Sequence, residues 1–262
     1  MKRLSLGWSL VLGVLAAAVV VPGARAAEVR VMISGGLSAA YKELVPQYEK
    51  MTGNTVITSY GPSMGTTENA IPVRLARGET ADVLIMVGDA LGVMISTGYA
   101  LADTRVDLVR SPIGIAVRAG APKPDISTPA ALKETLLKAK SVAYSDSASG
   151  VYVGNELFKR LGISAEMEGK AKMIPAEPVA AVVARGGAEL GFQQISELLP
   201  IPGAELVGPL PAELQKITIF SAALTKDGQQ RSQGKSLIDF LSSPAAGAAL
   251  LKSGLEPIAA AR

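Results

Sequence analysis

The sequence predicts an α/β protein with largely parallel sheets, built to one plan twice along the chain. Short runs rich in Val, Ile and Met alternate with stretches of helical periodicity, and the runs end in turns of small residues. Composition agrees: 262 residues, 48% hydrophobic and 19% charged, supply enough apolar surface for one or two cores without disulfide staples.

The elements follow in order. Val29–Ile33 reads as a strand ending at Ser34-Gly35-Gly36, and a helix follows over residues 37–51, with Leu37, Tyr41, Leu44, Val45 and Tyr48 near one face. Thr55–Tyr60 is a second strand, Gly61–Gly65 a turn and residues 68–77 a helix. Val83–Val87 is apolar at every position, as a strand covered on both faces requires, and a short helix spans residues 90–97. In the second half Ile113–Arg118 is a strand, and Ser127-Thr128-Pro129 opens a helix with Pro at its first position. Residues 141–144 form a strand whose exit, Ser145–Gly150, holds small residues and Asp146, and a helix is expected over residues 151–161. A helix over residues 179–184 starts at Pro178, Leu190–Gln194 is a strand, and a Pro-rich stretch covers residues 200–211. Thr218–Leu224 is the last strand, before helices at residues 229–241 and 244–252. Tyr41, Tyr48, Phe158, Phe192 and Phe240 are expected in the core, and Tyr152 there ahead of a ligand contact.

The first 26 residues read as a secretory signal peptide. Lys2 and Arg3 precede an apolar stretch, Pro22-Gly23 breaks it, and Ala24-Arg25-Ala26 has the small-x-small pattern of a cleavage site. Removing Lys2, Arg3 and Arg25 from the 26 basic residues balances them against the 23 acidic ones. A mature chain near neutrality offers no basic field for nucleic acid or anionic lipid. The expected location is the periplasm.

With no Cys and no His, thiol nucleophiles, thiolate metal sites and imidazole bases are excluded. Gly61-Pro62-Ser63-Met64-Gly65 matches the G-x-S-x-G nucleophile elbow, which makes a secreted serine-dependent hydrolase the rival from another class, but the His such a serine needs is missing. Three turns share another chemistry. Ser34-Gly35-Gly36, the stretch from Pro62 to Thr67 and the stretch from Ser145 to Gly150 are rich in hydroxyls and glycine, and each precedes an expected helix. Helix starts offer unpaired N–H groups and a partial positive charge, which suit a small anion. Asp146 decides which anion. An Asp in such a turn commonly bonds its own backbone, so it is expected to turn away and leave a proton-free dianion favoured; facing the cleft, it would repel one and favour a ligand carrying a proton or an amine.

The chain resembles type II periplasmic solute-binding proteins, most nearly the molybdate-binding family of ABC importers. The resemblance runs through Val29–Tyr48, Ala81-Asp82-Val83, Ser149-Gly150-Val151-Tyr152 and the closing stretch from Ser236 to Leu250. It implies a two-lobe fold with the ligand cleft between lobes, residues 28–110 plus 221–262 forming one lobe and 111–220 the other. Site positions implied by the family motif are Ser34, Ser63, Ser149, Gly150, Ala176 and Gln194, the last where the family has Tyr; Gly35 and Met64 join them as turn neighbours. The implied role is delivery of a molybdate-like oxyanion to an inner-membrane permease by a monomer, with a small organic carboxylate as the alternative ligand, and no enzyme activity, cofactor or metal.

Overall fold

The computed structural model describes residues 26–258, so the expected signal segment lies outside the described residues except for Ala26. The first lobe begins with β1 (Glu28–Ile33), α1 (Gly35–Thr52), β2 (Thr55–Tyr60), α2 (Ile71–Ala76), β3 (Val83–Val87), α3 (Gly88–Ser96) and β4 (Val106–Ser111). The chain then crosses into the second lobe, made of β5 (Ile113–Arg118), α4 (Pro129–Lys138), β6 (Val142–Ser145), α5 (Ala148–Tyr152), α6 (Phe158–Leu161), α7 (Ser164–Met167), β7 (Ala171–Ile174), α8 (Val179–Ala184), β8 (Leu190–Gln194), α9 (Ile195–Leu198) and β9 (Ala204–Pro209). A π turn over Val153–Leu157 joins α5 to α6. The return brings β10 (Thr218–Leu224), α10 (Arg231–Leu241), α11 (Gly247–Lys252) and β11 (Glu256–Pro257). Thr218, Ile219 and Phe220, expected in the second lobe, open β10 in the first sheet.

Strand order is β11-β4-β10-β3-β1-β2 in one sheet and β7-β6-β8-β5-β9 in the other. Both are mixed, which corrects the expectation of largely parallel sheets. β1 runs parallel to β2 and β3, but β10 is antiparallel to β3 and β4, and β5 is antiparallel to β8 and β9. The cause is the crossings. β4 and β8 end at the edge where the lobes meet, whereas β5 and β10 begin there and must run away from it.

Each sheet carries its own core. Tyr41, Tyr48, Leu84, Ile85 and Leu91 are fully buried in the first, and Ile115, Leu136, Val153 and Phe192 in the second. β3 is buried at every position, as its apolar composition requires. Phe158 packs in the second core and Phe240 lies against the first. Tyr152 is also core, its hydroxyl donating to the Leu214 carbonyl at 2.6 Å. Thr128 caps α4 by accepting from the Ala131 N–H at 3.1 Å, so the Ser-Thr-Pro signal is met. β4, α7, β7, α9, β9 and β11 were not anticipated. Among the described residues no helix is long and apolar enough to cross a membrane.

Candidate functional site: the cleft between the lobes

The carboxyl ends of β1, β2, β3, β6, β7 and β8 converge on a cleft of about 650 Å³, the position where open α/β sheets bind ligands. The first lobe contributes Ser34, Gly35 and Gly36 at the start of α1, Lys42 further along it, Tyr60 to Ser63 after β2, and Asn69. The second contributes Asp146 to Ala148, Ala176 to Pro178, Gln193, Gln194 and Glu197.

Ser34 stands at the N-cap of α1 but makes no capping bond. Its side chain is 4% exposed, and Ser34 Oγ and Thr67 Oγ1 are the only buried side-chain polar atoms among the described residues without a partner. Buried hydroxyls are nearly always bonded. Of the two, only Ser34 lines the cleft, at the start of a helix of 18 residues. Ser63, also buried, accepts from the Val87 N–H at 2.9 Å, which fixes its hydroxyl and leaves its proton to donate. The nucleophile-elbow geometry is absent, because the helix after Ser63 does not begin until Ile71.

Opposite these donors stand three carboxyl groups. Asp146 lines the cleft, which corrects the expectation that it turns away. One of its oxygens accepts from the Ala176 N–H at 3.0 Å. Ala176 has φ of 55°, the only non-glycine residue among the described ones in the left-handed region, and such strain gathers at ligand sites. Glu177 forks onto Arg185, with 2.9 Å between Oε2 and Nη2, and this guanidinium holds its carboxyl below the usual range. Glu197 has no ion pair among the described residues. Burial pushes its carboxyl up to about 7, with the Asp146 charge adding to the shift and the Gln193 amide opposing it. The Glu197 carboxyl oxygen lies against Gly35, where a Cβ would collide with it. Across the cleft Lys42 also lacks an ion pair among the described residues and rests over the Tyr60 ring at 5.2 Å.

Of the expected site residues, Ser34, Gly35, Ser63, Ala176 and Gln194 are brought together on the cleft. Met64 is not, because it packs on the first core. Ser149 is fully buried, its Oγ 3.0 Å from Ser145 Oγ, and Gly150 is pressed beneath the Ser145 carbonyl. The Gln194 amide is committed to the crossings, 2.9 Å from Ser111 Oγ and 2.8 Å from Thr218 Oγ1. Its neighbour Gln193 also lines the cleft and accepts from the Val179 N–H at the start of α8, at 3.0 Å. Lys42, Tyr60, Asn69, Gln193 and Glu197 went unanticipated.

Two mixed sheets with a donor-lined cleft between them define a solute-binding protein. The chain belongs to the family described as bacterial extracellular solute-binding proteins, whose sequence profile matches residues 29–256. It is 51% identical over 230 residues to aconitate isomerase from Pseudomonas sp, covering 88% of each chain. It is 27% identical over 236 residues to the molybdate-binding protein ModA of Azotobacter vinelandii, covering 85% of this chain and 87% of that one. Among solved structures, the periplasmic molybdate-binding protein of Azotobacter vinelandii superposes with a TM-score of 0.69 at 18% identity, covering 87% of this chain and 98% of that one.

Proposed function

We propose that this solute-binding protein takes a small unsaturated polycarboxylate of the aconitate type into the interlobe cleft and isomerises it. The observation that carries this reading is the pairing of anion donors with cleft carboxyls in a relative half identical to an aconitate isomerase. Ser34, Ser63 and the N–H groups opening α1 suit one carboxylate of the ligand, and Lys42 suits another. A tetrahedral oxyanion occupies about the volume of four waters, roughly 120 Å³, and leaves most of a 650 Å³ cleft unfilled.

The signal segment, if removed on export, places this activity in the periplasm. A second reading, delivery of an oxyanion such as molybdate to an ABC importer by a monomer, is favoured by the unpaired Ser34 hydroxyl and by the resemblance to the molybdate-binding protein. A single experiment separates the two. The protein without its first 26 residues is incubated with cis-aconitate and the products followed by proton NMR, beside a thermal-shift panel of cis-aconitate, molybdate, tungstate and sulfate. Appearance of trans-aconitate is expected. A ligand at ~100 times its Kd adds about 2.7 kcal/mol of stability, or roughly 5–10 °C in Tm for a chain of this size, and cis-aconitate is expected to give that shift. Stabilisation by oxyanions alone, with no isomerisation, selects the importer reading.

Ser34 supplies a separate check. Because its hydroxyl has no partner in the free protein, Ser34→Ala should leave Tm unchanged within a degree or two. Binding of cis-aconitate should weaken by about 1–3 kcal/mol, the range for one hydrogen bond to a charged group, as read by calorimetry. A fall in Tm with unchanged affinity would make the hydroxyl a packing element instead.

A further inference from the structure

Three carboxyl groups line the cleft, and they are not equivalent. Glu177 is paired with Arg185, which holds its carboxyl below the usual range, and one Asp146 oxygen is engaged by the Ala176 N–H. Glu197 is bound to no cation among the described residues, and its oxygen lies against the first residue of α1. That helix start also carries the buried, unpartnered Ser34 hydroxyl. A ligand carboxylate seated there puts its adjacent carbon beside the Glu197 carboxyl.

We infer that Glu197 is the catalytic acid and base of this cleft, carrying one proton between the two ends of an allylic polycarboxylate; the inference rests on the isomerase reading above. The step balances without any co-reactant. The Glu197 carboxylate takes a proton from the methylene carbon of a propene tricarboxylate, and the electron pair of that C–H bond becomes a new carbon–carbon double bond. The pair of the old double bond moves to the far carbon, which takes one proton from the Glu197 carboxyl, and while Glu197 holds that proton it can exchange with solvent. No atom or electron is gained or lost. Whether the product is cis or trans depends on the conformation about what had been a single bond, so no double bond has to twist.

One carboxyl suffices because the two carbons are ends of the same three-carbon unit and present one face to it. Negative charge that builds on the flanking carboxylate during transfer falls on Ser34 and the N–H groups of α1, which are fixed in place before the reaction and so stabilise it without reorganising. Lys42 faces the same space with Tyr60 from the first lobe, and Asp146 and the Glu177–Arg185 pair face it from the second. Burial chiefly keeps Glu197 basic, and of these groups Asp146 is the anion whose charge adds to it. A carboxyl tuned near neutrality suits removal of a proton from carbon better than an ordinary one.

Glu197→Gln keeps the shape and removes the base. It is expected to lower kcat for cis-aconitate by a hundredfold to ten-thousandfold, the usual worth of a positioned acid or base, with the Kd by calorimetry within about threefold of wild type. In D2O the wild-type protein should place deuterium on the methylene of recovered substrate, and Glu197→Gln should not. The kcat/KM of wild type should rise with pH to a plateau with a midpoint near 7, because the free enzyme must hold Glu197 as carboxylate, and Glu197→Asp should restore part of the turnover. If wild type isomerises cis-aconitate and Glu197→Gln keeps more than a third of its kcat or still exchanges deuterium, the role of Glu197 is overturned while the isomerase reading stands. If wild type itself neither isomerises nor exchanges, the isomerase reading falls, and the role of Glu197 with it.

Discussion

Gly150→Ala is expected to lower stability by about 3 kcal/mol or more, at the upper end of what an added methyl group costs in a packed interior. The new Cβ would land on the Ser145 carbonyl oxygen, with the Ser145 carbonyl carbon at 2.5 Å and its backbone nitrogen at 3.0 Å. These are main-chain atoms at the end of β6, so no side-chain rotation relieves the clash. Either the strand end or the start of α5 must shift. Movement there also disturbs the Ser145, Ser147 and Ser149 hydroxyls, which lie 2.8 to 3.4 Å from one another, and so reaches Asp146 in the cleft. At ~2–4 °C per kcal/mol the melting temperature should fall by roughly 6–12 °C. Gly247→Ala is the control. Nothing lies within 4 Å of its would-be Cβ, and in a helix alanine is favoured over glycine by ~0.5–1 kcal/mol. Thermal melts of both variants decide the matter: equal Tm values would show that the glycine at position 150 is not set by close approach.

The contrast between these two glycines marks what a sequence exposes and what it hides. Gly150 was singled out for a ligand contact because hydroxyls and glycines cluster around it, yet its reason for being glycine is the strand end packed above it. Ser34 and Ser63 were legible because they follow strands whose composition is unmistakable, and strand ends are where such sheets bind ligands, whereas the Asp146 turn was read as holding its carboxylate away from the cleft. β3 is apolar throughout and could be nothing but a central strand. β7 and β9 are edge strands with exposed or half-buried positions, and they lack the apolar run or clean alternation that marks a strand in sequence. Glu197 had no local signal either. It lies on α9, whose four residues carry no cap and no helical period. What fixes it is remote: Ser196 Oγ donates to the Gly36 carbonyl at 2.6 Å across 160 residues of chain. The rule that revealed Ser34 reaches only the neighbourhood of Glu197, because Ser34 follows β1 directly whereas Glu197 stands three residues beyond the end of β8, inside α9. The strand directions escaped for a related reason, because they depend on where the chain crosses between lobes.

Gln194→Leu tests the crossings themselves and is expected to cost about 2–4 kcal/mol. Gln194 is 1% exposed, and its amide joins Ser111 on the outgoing segment to Thr218 on the returning one. With its nitrogen facing Ser111, it also donates to the Ser111 carbonyl at 3.0 Å. Leucine fills similar space but bonds to nothing, so two buried hydroxyls lose a partner, each at a cost of about 1–3 kcal/mol. The corresponding fall in Tm is roughly 5–15 °C. A ligand-binding role for this amide predicts the opposite pattern. A residue that touches only ligand would leave the free protein as stable as before and weaken binding strongly. A residue that ties the crossings lowers the Tm of the free protein and changes affinity only through the balance of open and closed lobes. The Kd for cis-aconitate should therefore stay within a few-fold of wild type while the Tm drops. Calorimetric titration and melting curves on the same preparation read both quantities, and a tenfold loss of affinity at unchanged Tm would return Gln194 to the ligand.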